Sequence, residues 1–133
     1  MTSRGPSVAR HGDGGHPVHL IPLGTGSATP VAELNNGTAN DIQPNVRKDG
    51  REVVFSSNRT GTTGGQDLYV ATREDVDDPW STPVNLGSAV NTTAAETRPS
   101  LSWDAQTLLF GRNPGPEGGS DIFVATRDKL RGN

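Results

Sequence analysis

The chain contains one stretch of sequence twice. The segment GGQDLYVATRED at residues 64–75 returns as GGSDIFVATRDK at residues 118–129. This match pairs Asp67 with Asp121 and Arg73 with Arg127, 54 positions apart, and further pairs lie 55 positions apart: Pro44 and Pro99, Asp49 and Asp104, and Phe55 and Phe110. A period near 50 residues is typical of propellers and solenoids, in which each repeat is one supersecondary unit.

Each period is predicted to consist of strands joined by turns. In the first period, the predicted strands 43–48 and 52–58 flank Asp49-Gly50. An Asp-Gly pair between two predicted strands is a strong signal for a hairpin. Residues 67–73 alternate, with Leu68 and Val70 on one side of the strand. The segment 80–86 contains Pro83, which places it at a sheet edge. The second period offers strands at 98–103, 107–112 and 121–127, and we find no helix signal.

One departure from the repeat affects the second hairpin. It has Asp104-Ala105 where the first has Asp49-Gly50. Alanine in a left-handed backbone conformation costs about 1 kcal/mol. We therefore expect a weaker or different turn there.

Composition and charge narrow the class of protein. Only 30% of the residues are hydrophobic, whereas 17 are Gly and 10 are Pro, which fits many turns and excludes a helical bundle. The net charge of −3 argues against nucleic acid as a partner. The absence of cysteine excludes disulfides and thiolate sites. No apolar run is long enough to span a membrane or to form the core of a signal peptide, and the compartment stays undetermined.

The two repeats resemble a known family. The segments QPNVRKDGREVVFSSNRTGTTGGQDLYVATR (43–73) and RPSLSWDAQTLLFGRNPGPEGGSDIFVATR (98–127) are similar to the TolB-like, WD-like β-propeller repeat. That family carries Pro-x-x-Ser-x-Asp-Gly, an apolar strand ending Phe-x-Ser-x-Arg, and Gly-Gly-x-Asp-Ile-Tyr-Val. The resemblance implies an all-β partial β-propeller of two four-stranded antiparallel blades, at about 28–79 and 80–127. Residues 1–27 are expected to be a flexible N-terminal segment and 128–133 a tail.

The resemblance also implies a function. Such propellers present a face or channel to protein, peptide or cell-envelope glycan partners, so we expect a non-enzymatic module for binding or scaffolding. The alternative is a fragment of a propeller-containing hydrolase, a peptidase or a glycoside hydrolase. Family members are often periplasmic or extracellular. We predict no catalytic residue, no cofactor and no metal site.

Two blades are fewer than the four to eight of a propeller. The chain is therefore part of a longer propeller, closes a ring with other copies as a homo-oligomer, or folds only in part. Residues 28–34 (ATPVAEL) match the segment STPVNL at 81–86, so we interpret them as an outer strand. This strand could complete the second blade, within the chain or in a neighbouring copy.

The residues that stand out have structural and functional interpretations. We interpret the repeated positions as structural: Asp49, Gly50, Asp67, Arg73, Asp104, Asp121 and Arg127. The candidate ligand face consists of Arg59, Arg98, Trp80 and Trp103, since Arg clamps anions and Trp stacks on sugars. For the two Trp residues, packing at a strand start is the more common role. His11, Asp13, His16 and His19 lie close together in sequence, but a Gly-rich segment gives them no fixed geometry for a metal.

Overall fold

A computed structural model describes residues 28–128. The chain divides into two units, Met1–Pro30 and Val31–Asn133, and every strand described here lies in the second unit. The predictions for residues 1–27, for the three histidines and for the tail beyond Asp128 fall outside the described residues.

The described part is all-β, as predicted, and contains two antiparallel sheets. The first sheet has four strands in the order β1-β2-β3-β4, and the second has three in the order β5-β6-β7. The strands are β1 (Asp41–Val46), β2 (Glu52–Ser57), β3 (Asp67–Thr72), β4 (Val84–Asn85), β5 (Ala95–Leu101), β6 (Thr107–Asn113) and β7 (Asp121–Thr126). Within residues 28–128 the two sheets do not join into a closed ring.

The second sheet departs from the four strands predicted for it. Among the described residues, no strand pairs with the outer edge of β7, whereas β4 covers that edge of β3. The outer strand predicted at 28–34 is also wrong. The N–H groups of Leu34 and Asn35 both donate to the carbonyl of Val31, so the chain forms a turn there. The sequence match at 28–34 is not enough to form a strand in this chain, because a strand needs an adjacent edge with which to pair.

Both sheets contain the same β-bulge at corresponding positions. Each first strand has a β-bulge just before its proline, where Gln43 and Arg98 take positive φ values of 58° and 52°. A bulge bends and twists the strand that carries it. Because the irregularity recurs at corresponding positions, it belongs to the repeat and sets the shape of both sheets.

The two hairpin turns are also alike. Gly50 has a φ of 77° and Ala105 a φ of 61°. Their N–H groups donate to the carbonyls of Arg47 and Ser102, at 2.7 and 2.8 Å. The expectation of a different second turn is therefore wrong, because Ala105 adopts the left-handed conformation and its side chain is buried.

The core lies between the two sheets. Val54 and Leu68 of the first sheet pack in one cluster with Val90, Leu108 and Phe110. Burying each large apolar side chain contributes about 1.5–3 kcal/mol. On the other side of the first sheet, the buried side chains are those of Val53, Phe55, Tyr69 and Ala71. Strand β2 is thus buried along its whole length, as expected for a central strand.

Candidate functional site

The contact between the sheets shows which apolar side chains of one repeat are covered by the next repeat. The row of Val54, Leu68 and Val70 faces the second sheet, and Val54 and Leu68 are almost fully buried there. A cavity of about 160 Å³ remains beside this row. It is smaller than the cavities of about 300–1,000 Å³ that hold drug-sized ligands. We therefore regard it as a packing gap rather than a ligand site.

A side chain from the connection between the sheets completes the edge of β3. The amide oxygen of Asn91 accepts the N–H of Leu68 at 2.7 Å, and its Nδ2 donates to the carbonyl of Leu68 at 2.9 Å. Asn91 is buried, so these bonds satisfy two backbone groups that water does not reach. The carboxamide therefore pairs with the Leu68 N–H and shares the Leu68 carbonyl with the N–H of Leu86, which follows β4.

Asp67 and Asn85 support this arrangement. The Asp67 carboxylate accepts the N–H groups of Thr63 and Gly64 and the side-chain amide of Asn85. Asn85 in turn accepts a hydrogen bond from Nδ2 of Asn91 at 2.8 Å. A hydrogen-bonded network thus links the loop before β3 to the connection that leads into the second sheet.

Gly64 packs against the backbone of the connection that leads into the second sheet. A Cβ atom added there would clash with the carbonyl oxygen of Ala94 and lie 2.7 Å from the carbonyl oxygens of Thr92 and Thr93. Only a residue without a side chain fits against this backbone. The second sheet has Gly118 at the corresponding position, and nothing lies within 4 Å of a Cβ added there.

The second sheet repeats the apolar row but leaves it uncovered. Leu109, Ile122 and Val124 correspond to Val54, Leu68 and Val70, and they are exposed by 46%, 82% and 59%. Exposed apolar side chains grouped on one surface commonly mark a site of protein interaction. We take this row, together with the outer edge of β7, as the candidate functional site and call it the open face.

Each sheet contains a corresponding arginine–carboxylate pair. Arg59 donates to Asp41 at 2.8 Å, and Arg112 donates to Glu96 at 2.9 Å. Both guanidinium groups also lie over aromatic rings of their own sheet, Tyr69 for Arg59 and Phe123 for Arg112. Burial would raise the pKa of Asp41, but hydrogen bonds from the Asn36 N–H, the Ser57 hydroxyl and Arg59 lower it below its ordinary value.

The turn aspartates Asp49 and Asp104 have the same role in both repeats. Each carboxylate accepts the N–H two residues further on, from Arg51 and Gln106, at 3.0 Å. The hydrogen bond from Arg47 is the main cause that lowers the pKa of Asp49 to about 2. The Ser102 hydroxyl, followed by the Gln106 N–H, lowers the pKa of Asp104. These contacts tie the carboxylates to their own turns.

The side chains at other repeated positions also form hydrogen bonds to backbone groups of their own repeat. The Asp121 carboxylate accepts the N–H of Glu117, as Asp67 does for its own loop. Nε of Arg73 donates to the carbonyl of Gly50, and Nε of Arg127 donates to the carbonyl of Ala105. Arg127 also reaches Glu52 in the first sheet.

The residues of the predicted ligand face each contact a different neighbouring residue. Arg73 lies 3.9 Å from the ring of Trp80, and Lys48 lies 4.3 Å from the ring of Trp103, which is 79% exposed. The Arg98 N–H donates to the side chain of Gln43 in β1. No hydrogen bond, ion pair or ring contact within residues 28–128 joins Arg59, Arg98, Trp80 and Trp103 to one another.

Sequence reasoning missed the residues of the open face and of the contact between the sheets. The repeat carried a signal for Gly64 and Gly118, since both open the Gly-Gly pair before the third strand. The repeat carried no signal for Asn91, because its partner is the backbone of Leu68. Within the described part of the chain, no three His, Asp or Glu side chains are grouped closely enough to hold a metal ion.

No protein-family model and no curated protein matches the sequence of this chain. Among residues 28–128 there is no helix with the length and apolar character needed to cross a membrane.

Proposed function

We propose that the chain is a two-blade section of a TolB-like β-propeller that acts as a non-enzymatic module for protein binding or scaffolding. One observation carries the proposal: the second sheet covers the row of Val54, Leu68 and Val70, while the corresponding row of the second sheet is exposed. In a propeller each blade covers the preceding one, so an exposed row is where a further sheet would pack.

The chemistry of the open face favours a protein partner over a glycan. Its exposed side chains are aliphatic, and aliphatic side chains offer a sugar neither ring stacking nor hydrogen bonds. Strand β7 also presents an outer edge to which a peptide backbone can pair. A partner with a strand and an apolar side chain would satisfy both features.

An added repeat tests this proposal. Residues 74–127 are appended once more after Arg127, and the original Ile122 is replaced by cysteine in a chain that otherwise has none. We expect the longer chain to unfold at a higher denaturant concentration. We also expect the thiol introduced at position 122 to react more slowly than in the two-repeat chain with the same Ile122→Cys substitution.

A matched control carries Ala in place of the added repeat's copy of Asn91. This control should lose part of the protection, because the backbone of residue 122 loses its carboxamide partner. If the added repeat changes neither the unfolding midpoint nor the thiol reactivity, the proposal is wrong.

A further inference from the structure

Two turns in the chain have the same hydrogen-bond pattern. In the turn at 87–91, the carbonyl of the first residue accepts the N–H groups of the fourth and fifth, and the fifth residue is Asn91. The turn at 31–35 has the same two bonds, and its fifth residue is Asn35. Asn35 therefore holds the position in the first repeat that Asn91 holds in the second.

The surroundings of these two asparagines differ. Asn91 is buried and pairs with both backbone groups of Leu68. Asn35 is exposed, and its Nδ2 donates to the carbonyl of Val31 within its own turn at 3.1 Å. An exposed hydrogen bond of this kind exchanges readily with water or with a new partner, because its net contribution is about 1 kcal/mol. Asn35 is therefore available for the contact that Asn91 makes.

The matching backbone partner is on the open face. Ile122 opposes Gly111 in the ladder as Leu68 opposes Ser56, so its backbone N–H and carbonyl point to the outer edge of β7. Gly118 leaves space beside that edge, as Gly64 does where residues 92–94 pass. One chain therefore carries both partners of such a contact, namely the carboxamide of Asn35 and the outer backbone edge at Ile122.

We propose that a second copy of the chain binds the open face through its residues 28–36. This inference rests on the proposed function and names the partner. Asn35 of the second copy pairs with the backbone of Ile122, Leu34 covers the apolar row as Val90 does in the first sheet, and residues 36–38 pass over Gly118. Each copy offers one edge and one segment, so the association is head-to-tail.

The second copy contributes this segment rather than a whole sheet face. Val53, Phe55 and Tyr69, on the side of the first sheet that faces away from the second, are already buried in the single chain. Val31 is 42% exposed, and Asn35 and Asn36 are exposed. The turn at 31–35 can therefore dock on the open face, with residues 28–30 beside the outer edge of β7.

Sedimentation velocity of the full chain, over a range of concentrations, tests the inference. We expect species heavier than 14.0 kDa that grow with concentration. The Gly118→Ala variant should raise the dissociation constant by about tenfold or more, because its methyl group would meet the backbone of residues 36–38. Asn35→Ala should also weaken association, since it removes the carboxamide.

Gly119→Ala is the matched control. Its counterpart Gly65 would place a Cβ atom at an ordinary 3.8 Å from Ala95, so this variant should associate like the parent chain. A Cβ atom at Gly118 or Gly119 meets nothing within 4 Å in the single chain, so both variants should keep the parent's unfolding midpoint. Equal association of all three variants would overturn the inference.

A folded monomer at every concentration would also overturn the inference, but it would leave the proposed function standing, because another protein could occupy the open face. The proposed function fails on a different result, namely an added repeat that changes neither the unfolding midpoint nor the reactivity of the thiol in the Ile122→Cys variant.

Discussion

Arg127, which directly follows the last strand of the second sheet, forms a bidentate ion pair with Glu52 of the first sheet. Its Nη2 and Nη1 atoms donate to Oε1 and Oε2 of Glu52 at 2.7 and 3.0 Å. Glu52 is only 6% exposed, and its other cationic partner, Arg47, lies at 3.3 Å. The hydrogen bonds to Glu52 raise the pKa of Arg127, with burial opposing them. The pair therefore links residues 75 positions apart across the contact between the sheets.

Arg127→Ala should destabilise the fold. It leaves the buried Glu52 carboxylate with a weaker partner, and breaking a fully buried pair costs about 3–5 kcal/mol. Because the Arg127 side chain is 38% exposed, water compensates in part, and we expect a loss of about 1–2 kcal/mol. Urea unfolding measures the change in the free energy of unfolding.

Arg51→Ala is the control for this change. Arg51 pairs with Asp49 at 3.5 Å, and both side chains are well exposed. Surface pairs of this kind contribute about 0–1 kcal/mol. A loss at Arg127 no greater than that at Arg51 would contradict the role assigned to the ion pair between the sheets.

Gly64→Ala should separate the sheets or prevent folding. The added methyl group would clash with the backbone carbonyls of residues 92–94, which cannot move without disturbing the Asn91 contact. We expect a loss above about 2 kcal/mol, in the range of overpacked cores. Thermal unfolding checks the change, with Gly118→Ala as the counterpart that should be nearly neutral. Similar midpoints for the two variants would show that the close approach at Gly64 is absent.

Gly50→Ala should cost about 1 kcal/mol, because Gly50 has a φ of 77° and its Cβ atom would lie 3.0 Å from Val76. Gly37→Ala, in open space, should change the free energy of unfolding by less than about 0.5 kcal/mol. Chemical denaturation of both variants provides the comparison. A neutral Gly50→Ala would mean that the turn tolerates a side chain as readily at Gly50 as it does at Ala105.

Acid should weaken the first hairpin through Asp49. Its pKa is lowered from 3.8 to about 2 in the folded chain, so its contribution is present above about pH 4 and is lost as the pH falls through about 2. The parent chain should therefore be more stable than Asp49→Asn near neutral pH, and the difference should shrink between about pH 4 and pH 2. Denaturation curves that differ equally at all pH values would rule out this role.

The sequence predicted the features that depend on neighbouring residues. Alternation in 67–73 placed Leu68 and Tyr69 on opposite sides of β3, and Asp49-Gly50 marked the first hairpin. These signals are local, so they survive in any fold that pairs the strands. The all-β fold of the described part follows from them.

The sequence did not predict the contacts between the repeats. The pairing of Asn91 with Leu68 joins a side chain to a backbone 23 positions away, and no residue pattern encodes a backbone partner. The sequence favours packing for Trp103, yet this side chain is 79% exposed, because its position at the hairpin turn lies beyond the core between the sheets. Which sheet face stays open likewise depends on how the sheets stack.

Thiol labelling of two single-cysteine variants tests the central claim most directly. Ser56→Cys lies under the second sheet, where Ser56 has no exposed surface and donates to the carbonyl of Glu96, whereas Ile122→Cys lies on the open face. At a protein concentration below that of self-association, we predict rapid labelling of the Ile122→Cys thiol and strong protection of the Ser56→Cys thiol until the chain unfolds. Equal labelling rates in the folded state would contradict the account.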